Sequence, residues 1–327
     1  MAKKRKINTT TKTQQIQPQN TDKDIPLRKI IIGIGCLLIL TGVVWIIFSN
    51  TQADEQEWAV DEQGILSYPA DRTEPVFESR IDEYNSEFTL EYLNYSSRDA
   101  TISAAVRIPN SSVPVPGVLI LPGATVTKEG EQGLALELIE MGYASMVIDQ
   151  RNLGVVDVQH DEELFDAGEE PVEHKMVFDA LMAVDVMRQY PKINPQNIAI
   201  IGISNGGRFA ITAAGIDPSI KGVIGISTSG YNTESIISNS PNPLSETRIR
   251  FLRSIDPESY LDKLAPRKLV MIHMEHDSII SVYMAKTTYD KAEEPKAFYP
   301  IEGTGHGYNS AMRPHLEDEL EQIFNTI

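Results

Sequence analysis

The stretch IAIIGISNGGRFA, residues 198–210, constrains the fold more than any other part of the chain. A continuous run of branched apolar residues is the pattern of a strand buried on both faces. Such strands belong to mostly parallel sheets covered by helices on both sides. The run breaks into Gly-Ile-Ser-Asn-Gly-Gly and resumes with helical spacing and a glycine stop, NGGRFAITAAG. A plain turn needs one glycine and no particular serine. A serine between Gly202 and Gly206, where a buried strand becomes a helix, is therefore a candidate nucleophile.

The same alternation runs from residue 117 to the end. Apolar strands are predicted at 117–123, 143–149, 197–204, 220–227, 267–274 and 296–303. Between and after them, helices are predicted at 131–142, 172–190, 205–215, 281–292 and 309–327. Upstream, 87–95 and 101–108 read as two strands joined by a Ser-Ser-Arg-Asp turn. The expected architecture is a mostly parallel, doubly wound α/β sheet with an antiparallel hairpin at its N-terminal edge. Residues 150–171 and 228–262 interrupt the alternation and are expected to form loops or a small lid over the site end of the sheet.

The N-terminal region is of another kind. Residues 1–29 are polar and hold eight Lys or Arg against two Asp, whereas the remainder of the chain holds 21 against 44 Asp or Glu. Between the two lie nineteen uncharged residues, Ile30 to Phe48, long enough to cross a bilayer as a helix. With the basic side preceding and an acidic segment following, the expectation is a signal anchor. This gives a cytoplasmic tail at 1–29, a single transmembrane helix at 30–48, an acidic juxtamembrane linker at 49–86 that could add an edge strand, and an extracytoplasmic domain at 87–327. A cleaved signal peptide is the weaker alternative, because both the basic region and the apolar run are too long for one. The acidity beyond the span argues against nucleic acid as a partner. The single cysteine, Cys36, lies in the span, so the rest of the chain can form neither a disulfide nor a thiolate metal site.

In a doubly wound sheet, ligands bind beyond the C-terminal ends of the strands. Ser204 follows IAIIGI, Asp277 follows KLVMIHMEH, His306 follows AFYPIEGTG, and Ala124-Thr125 follow GVLILPG. Gly202-Ile203-Ser204-Asn205-Gly206 matches the G-x-S-x-G nucleophile elbow, and the order Ser, Asp, His is that of the α/β-hydrolase triad. The segments PKINPQNIAIIGISNGG, HMEHDSIISVY and GTGHG resemble the dienelactone-hydrolase and prolyl-oligopeptidase-like branch of the α/β-hydrolase superfamily, over about residues 87–327.

The resemblance implies an α/β-hydrolase fold in which Ser204 is nucleophile, His306 general base and acid, and Asp277 the group that orients His306. Gly202 and Gly206 would leave room for strand and helix to meet around the serine. The Asn205 amide would donate to the oxyanion, and the second donor would be the amide of Ala124 or Thr125. The family often has His-Gly where this chain has LPGAT. Asp149-Gln150-Arg151 resembles the family's Asp-x-Arg-Gly segment and is expected to support the site structurally. His273 is expected in the strand as a core residue, and Glu275 is a weaker alternative to Asp277. His160, His174 and His315 lack the spacing of a metal site, so neither metal nor cofactor is expected.

These residues point to a membrane-anchored serine hydrolase acting on a small-molecule ester. A serine peptidase of prolyl-oligopeptidase type is an alternative, weakened because no propeller or second large domain precedes the catalytic part. A non-catalytic binding protein is another, although no triad member is missing. Tyr231, Phe251 and Tyr260 could line a pocket or simply pack.

Overall fold

The computed structural model describes residues 57–69 and 71–325. The expected tail at 1–29 and transmembrane helix at 30–48 lie outside the described residues. Among the described residues no helix is long and apolar enough to cross a membrane.

In chain order the strands are β1 (Ala59–Val60), β2 (Leu66–Ser67), β3 (Phe77–Tyr84), β4 (Phe88–Ser97), β5 (Ala100–Pro109), β6 (Val115–Leu121), β7 (Ala144–Ile148), β8 (Ile193–Ile203), β9 (Gly222–Ile226), β10 (Lys268–His276) and β11 (Lys296–Thr304). The helices are α1 (Gln132–Glu140), α2 (Val158–Asp166), α3 (Val172–Arg188), α4 (Asn205–Ile216), α5 (Thr233–Ser238), α6 (Glu246–Ile255), α7 (Val282–Lys291) and α8 (Arg313–Asn325). Nine strands form one sheet in the order β11-β10-β9-β8-β6-β7-β5-β4-β3. The six from β11 to β7 are parallel. β3, β4 and β5 form an antiparallel meander that joins the sheet through β5 against β7.

Side-chain alternation on the central strand explains why its residues 198–203 are apolar throughout. Ile198 and Ile200 of β8 pack with α3 and α4 on one face, where Met176, Leu181, Phe209 and Ala213 are buried. Ala199, Ile201 and Ile203 pack with α1 and α8 on the other, against Leu134, Leu138, Leu316 and Leu320. A strand covered on both faces has no position for a polar side chain, so the run stays apolar until it leaves the sheet.

The segment expected as a linker enters the body. β3 supplies the edge strand foreseen for it. Val60 and Leu66 are buried with Phe165, Phe251 and Tyr260, and Trp58 packs against this group. Arg72 bonds Asp185 and Asp217 at 2.8 and 3.0 Å. The two interruptions at 150–171 and 228–262 also carry more structure than loops. They contribute α2, α5, α6 and a 3-10 turn at Pro257–Lys263. Rings of Phe165 on α2 and Phe251 on α6 lie 5.6 Å apart, and Arg248 pairs with Glu162 at 2.8 Å. Phe251 and Tyr260 are fully buried, which makes them packing residues.

Candidate active site

β6 and β8 are neighbours in the sheet, but the chain leaves them in opposite directions, β6 toward β7 and β8 toward β9. This is the topological switch point at which doubly wound sheets bind ligands. Leu121 pairs with Gly202, so the loop after β6 and the turn after β8 leave the sheet side by side.

Ser204 sits in that turn with φ 54° and ψ −121°, a conformation sparsely populated by any residue with a side chain. Its surroundings hold it there. Its amide donates to Ile226 O at 2.9 Å, and its carbonyl accepts from Gly207 N at 2.9 Å and from Thr228 Oγ1 at 2.7 Å. The flanking glycines are required sterically. A Cβ on Gly202 would stand 2.3 Å from Gly206 O, and one on Gly206 would stand 2.1 Å from Leu121 O. Ser204 is half-buried at the start of α4.

Asp277 follows β10 with its side chain fully buried. Its Oδ1 accepts from the amides of Ile279 and Ile280 at 2.8 and 3.1 Å, and its Oδ2 meets His306 Nδ1 at 2.8 Å. Burial works to raise the Asp277 pKa. The hydrogen bonds from His306 and the two amides outweigh it and hold the carboxyl below its ordinary value. A carboxylate only accepts, so Nδ1 carries the proton and Nε2 is the ring nitrogen not engaged by the acid. Glu275 is exposed, whereas Asp277 is buried against the histidine. His273 is the core residue expected: it is buried, its Nε2 donates to Ile280 O at 2.7 Å, and burial lowers its pKa. It supports the carbonyl next to the acid turn.

The His306 loop is pinned beside the elbow. Gly307 N donates to Ser227 Oγ at 3.0 Å, and a Cβ on Gly307 would be 3.7 Å from Ile203 Cγ2, the residue before Ser204. On the other side, a Cβ on Gly123 would lie 3.3 Å from Ser204 Cβ and 4.0 Å from its Oγ. The structure therefore brings Ser204, the Asp277–His306 pair and the 122–125 loop to one end of the sheet.

The oxyanion candidates separate. The Asn205 amide opens α4, where first-turn N–H groups have no intrahelical partner and point toward added negative charge. The Thr125 amide is committed, donating to Leu153 O at 2.7 Å from a backbone with φ 66°. It is not available to an oxyanion, which leaves Ala124 of the two. The loop is held from 150–154, since Gln150 Nε2 donates to Pro122 O. Arg151 anchors this turn by binding Asp179 through Nε and NH2 at 2.7 and 2.9 Å, Asp99 at 2.6 Å and Ser97 O at 3.1 Å. Sequence reading expected such support but not its route. Ser227 and Thr228 were missed, and no local pattern marks them.

Among the described residues no cluster of three or more His, Cys, Asp or Glu is placed to hold a metal ion. His174 bonds Ser254 Oγ at 2.8 Å in the core, and His315 stacks on Tyr299 at 4.2 Å.

Residues 102–245 match the Dienelactone hydrolase family. The match includes the elbow and ends before Asp277 and His306. An uncharacterized protein of Escherichia coli O157:H7, YfhR, is 28% identical over 159 residues, covering 48% of this chain and 54% of that protein. The chain thus spans about half the length of the curated relatives it matches. Among solved structures, acetyl xylan esterase 1 from Thermoanaerobacterium sp. JW/SL YS485 is similar with a TM-score of 0.64 at 13% identity, over 83% of this chain and 98% of that one. An acetyl xylan esterase from Paenibacillus sp. R4 has a TM-score of 0.64 at 17% identity, over 77% and 90%. A glucuronoyl esterase from Solibacter usitatus has a TM-score of 0.58 at 12% identity, over 82% and 89%. The chain has the α/β-hydrolase fold, and its residues 102–245 match the Dienelactone hydrolase family.

Proposed function

We propose that the chain is an ester-hydrolysing serine hydrolase working through Ser204, His306 and Asp277. The observation that carries the reading is the 2.8 Å contact of His306 Nδ1 with buried Asp277, on a loop pinned against a strained serine elbow. The family match and the esterase neighbours support the choice of ester substrates.

His306 Nε2 takes the Ser204 proton as Oγ bonds to the substrate carbonyl carbon, and the displaced electron pair moves onto the carbonyl oxygen. The amides of Asn205 and Ala124 receive that oxyanion, each such donor being worth about 3 kcal/mol of transition-state stabilisation. Asp277 stabilises the imidazolium and keeps its ring oriented. Collapse breaks the bond to the leaving alcohol, which takes the proton from His306. Water then repeats the sequence on the acyl-serine and releases the acid.

The proposal includes a location. Residues 30–48 form a single span, with 1–29 cytoplasmic and the catalytic body outside. The uncharged length and the basic N-terminal flank support it. Protease protection in intact cells tests this part: digestion of the body only after lysis overturns it.

For the chemistry, the full chain is treated with a fluorophosphonate probe and assayed on p-nitrophenyl acetate and on peptide anilides. Wild-type protein is expected to label and to turn over the ester without cleaving anilides, and Ser204→Ala is expected to lose both labelling and ester turnover. Wild-type ester turnover in Ser204→Ala overturns the nucleophile assignment. Anilide cleavage at rates like the ester's favours a peptidase.

A further inference from the structure

The residue after the nucleophile does more in this fold than present its backbone amide. Asn205 Nδ2 donates to Gly154 O at 3.1 Å, and its Oδ1 accepts from Arg208 NH1 at 2.8 Å. The amide orientation follows from chemistry, because a guanidinium can only donate and so fixes the oxygen on its own side. Arg208 is fixed in turn. Its Nε donates to Ser229 O at 3.0 Å, its guanidinium lies 4.1 Å from the centre of the Tyr231 ring, and Tyr231 OH donates to Glu173 Oε2 at 2.9 Å.

On its far side, Gly154 belongs to the turn that sets the oxyanion loop. Leu153 O takes the Thr125 amide at 2.7 Å, and a Cβ on Gly154 would lie 3.5 Å from Ala124 Cα. The two proposed oxyanion donors stand on different elements, Asn205 on α4 and Ala124 on the loop after β6. The Asn205 side chain is the hydrogen bond from the elbow to the turn that carries this loop.

We infer that Asn205 is a positioning residue whose side chain clasps the two halves of the oxyanion hole together, with Arg208 holding the clasp in its working orientation. This rests on the oxyanion assignment proposed above. Oxyanion donors must reach the developing charge at about 2.7–3.1 Å. A displacement of about 1 Å near the reacting centre can cost about 100-fold in rate. A lost clasp therefore lowers kcat and leaves ground-state binding unchanged.

Two substitutions at Asn205 test this in the full chain, with Ser204→Ala beside them. Alanine suits a first-turn helix position, and aspartate there is favoured by the helix dipole and by Arg208, so both variants should fold. Asn205→Ala removes both side-chain bonds without adding charge. Asn205→Asp keeps the Arg208 acceptor but removes the donor to Gly154. The expected result on p-nitrophenyl acetate is a kcat loss of about 10- to 100-fold in both, with KM within about twofold. Affinity for a boronic acid that forms a tetrahedral serine adduct should fall in parallel, while melting temperatures stay near wild type.

A wild-type kcat in Asn205→Ala overturns the clasp, even when Asn205→Asp is slow, since charge alone would then explain the aspartate. A rise in KM matching the loss in kcat/KM also overturns it. Full turnover in Ser204→Ala overturns the catalytic reading itself, and the clasp with it.

Discussion

Gly206→Ala adds one methyl group and should damage both stability and rate. Its Cβ would stand 2.1 Å from Leu121 O and 2.5 Å from Pro122 O. Ordinary van der Waals contact begins near 3.4 Å, so a shift of about 1 Å is needed. No rotamer change can supply it, because both obstacles are backbone. β6 is also held on both sides by β7 and β8, so the strand cannot yield alone. Overpacking of this sort costs about 1–3 kcal/mol, and a backbone obstacle puts the value at the upper end. At about 2–4 °C per kcal/mol for a body of this size, the melting temperature should fall by about 6–12 °C. The displaced atoms belong to the loop that carries Ala124, so kcat should fall by about 100-fold as well. Gly133→Ala is the control: it lies exposed in α1 with nothing within 4 Å of its added carbon, and should raise stability by about 0.5–1 kcal/mol. Melting curves and p-nitrophenyl acetate kinetics on the full chain read both. A Gly206→Ala protein melting within 2 °C of wild type, at about the wild-type rate, would refute the steric account of the elbow.

Further outcomes follow from Asp277, from the buried Glu173 on α3 and from the turn behind the proposed oxyanion loop. Asp277→Asn should lower kcat by about 10⁴-fold with KM little changed, since His306 loses the partner that fixes its tautomer; a tenfold loss or less would reassign the acid. Glu173 is buried on α3, and burial raises its pKa to about 8, above the unfolded value of about 4.3. The folded state then binds the extra proton, so wild-type stability declines as pH rises from about 4.3 to 8. Glu173→Gln should melt higher than wild type at pH 8 and equally at pH 4, and equal melting at pH 8 would contradict this. Arg151→Ala leaves the buried Asp179 carboxylate without its bidentate partner and should cost about 3–5 kcal/mol, read as a fall in melting temperature.

The sequence made the sheet legible because its signal is local. Each strand from β6 to β10 carries a run of apolar residues, and the period of the pattern changes at the helices that follow. Ser204 was legible for the same reason, with its strand, its glycines and its helix adjacent in the chain. The cap was harder. α6 has Ile249, Phe251, Leu252 and Ile255 at helical spacing behind a Ser245 cap, a signal that could have been found, but charged residues dilute it. Residues 57–68 read as polar linker because the few apolar side chains there find their partners some 100–190 positions later, in Phe165 and Phe251. The choice between Ala124 and Thr125 could not be read at all. It depends on a backbone bond from Thr125 to Leu153, which no side chain encodes.

The strained positions make a physical case that this end of the sheet is arranged for chemistry. Of the seven non-glycine residues with positive φ among the described residues, Thr125, Asn152, Leu153, Ser204 and Ser227 surround the proposed site. Such residues cost of order 1–3 kcal/mol and persist only where their surroundings over-determine them. Here the constraints interlock. Ser204 hangs from Ile226 O, Ser227 from Ile272 O, and Thr125 from Leu153 O. Ser227 also receives the amide after His306, so the strand end beside the elbow sets the height of the proposed general base. A fold selected only for stability has no reason to collect its strain at three adjacent strand ends. One that must hold the proposed nucleophile and oxyanion loop within reach of a single carbonyl does, because Ser204 after β8 and Thr125 after β6 leave their strands through conformations that ordinary backbone does not provide.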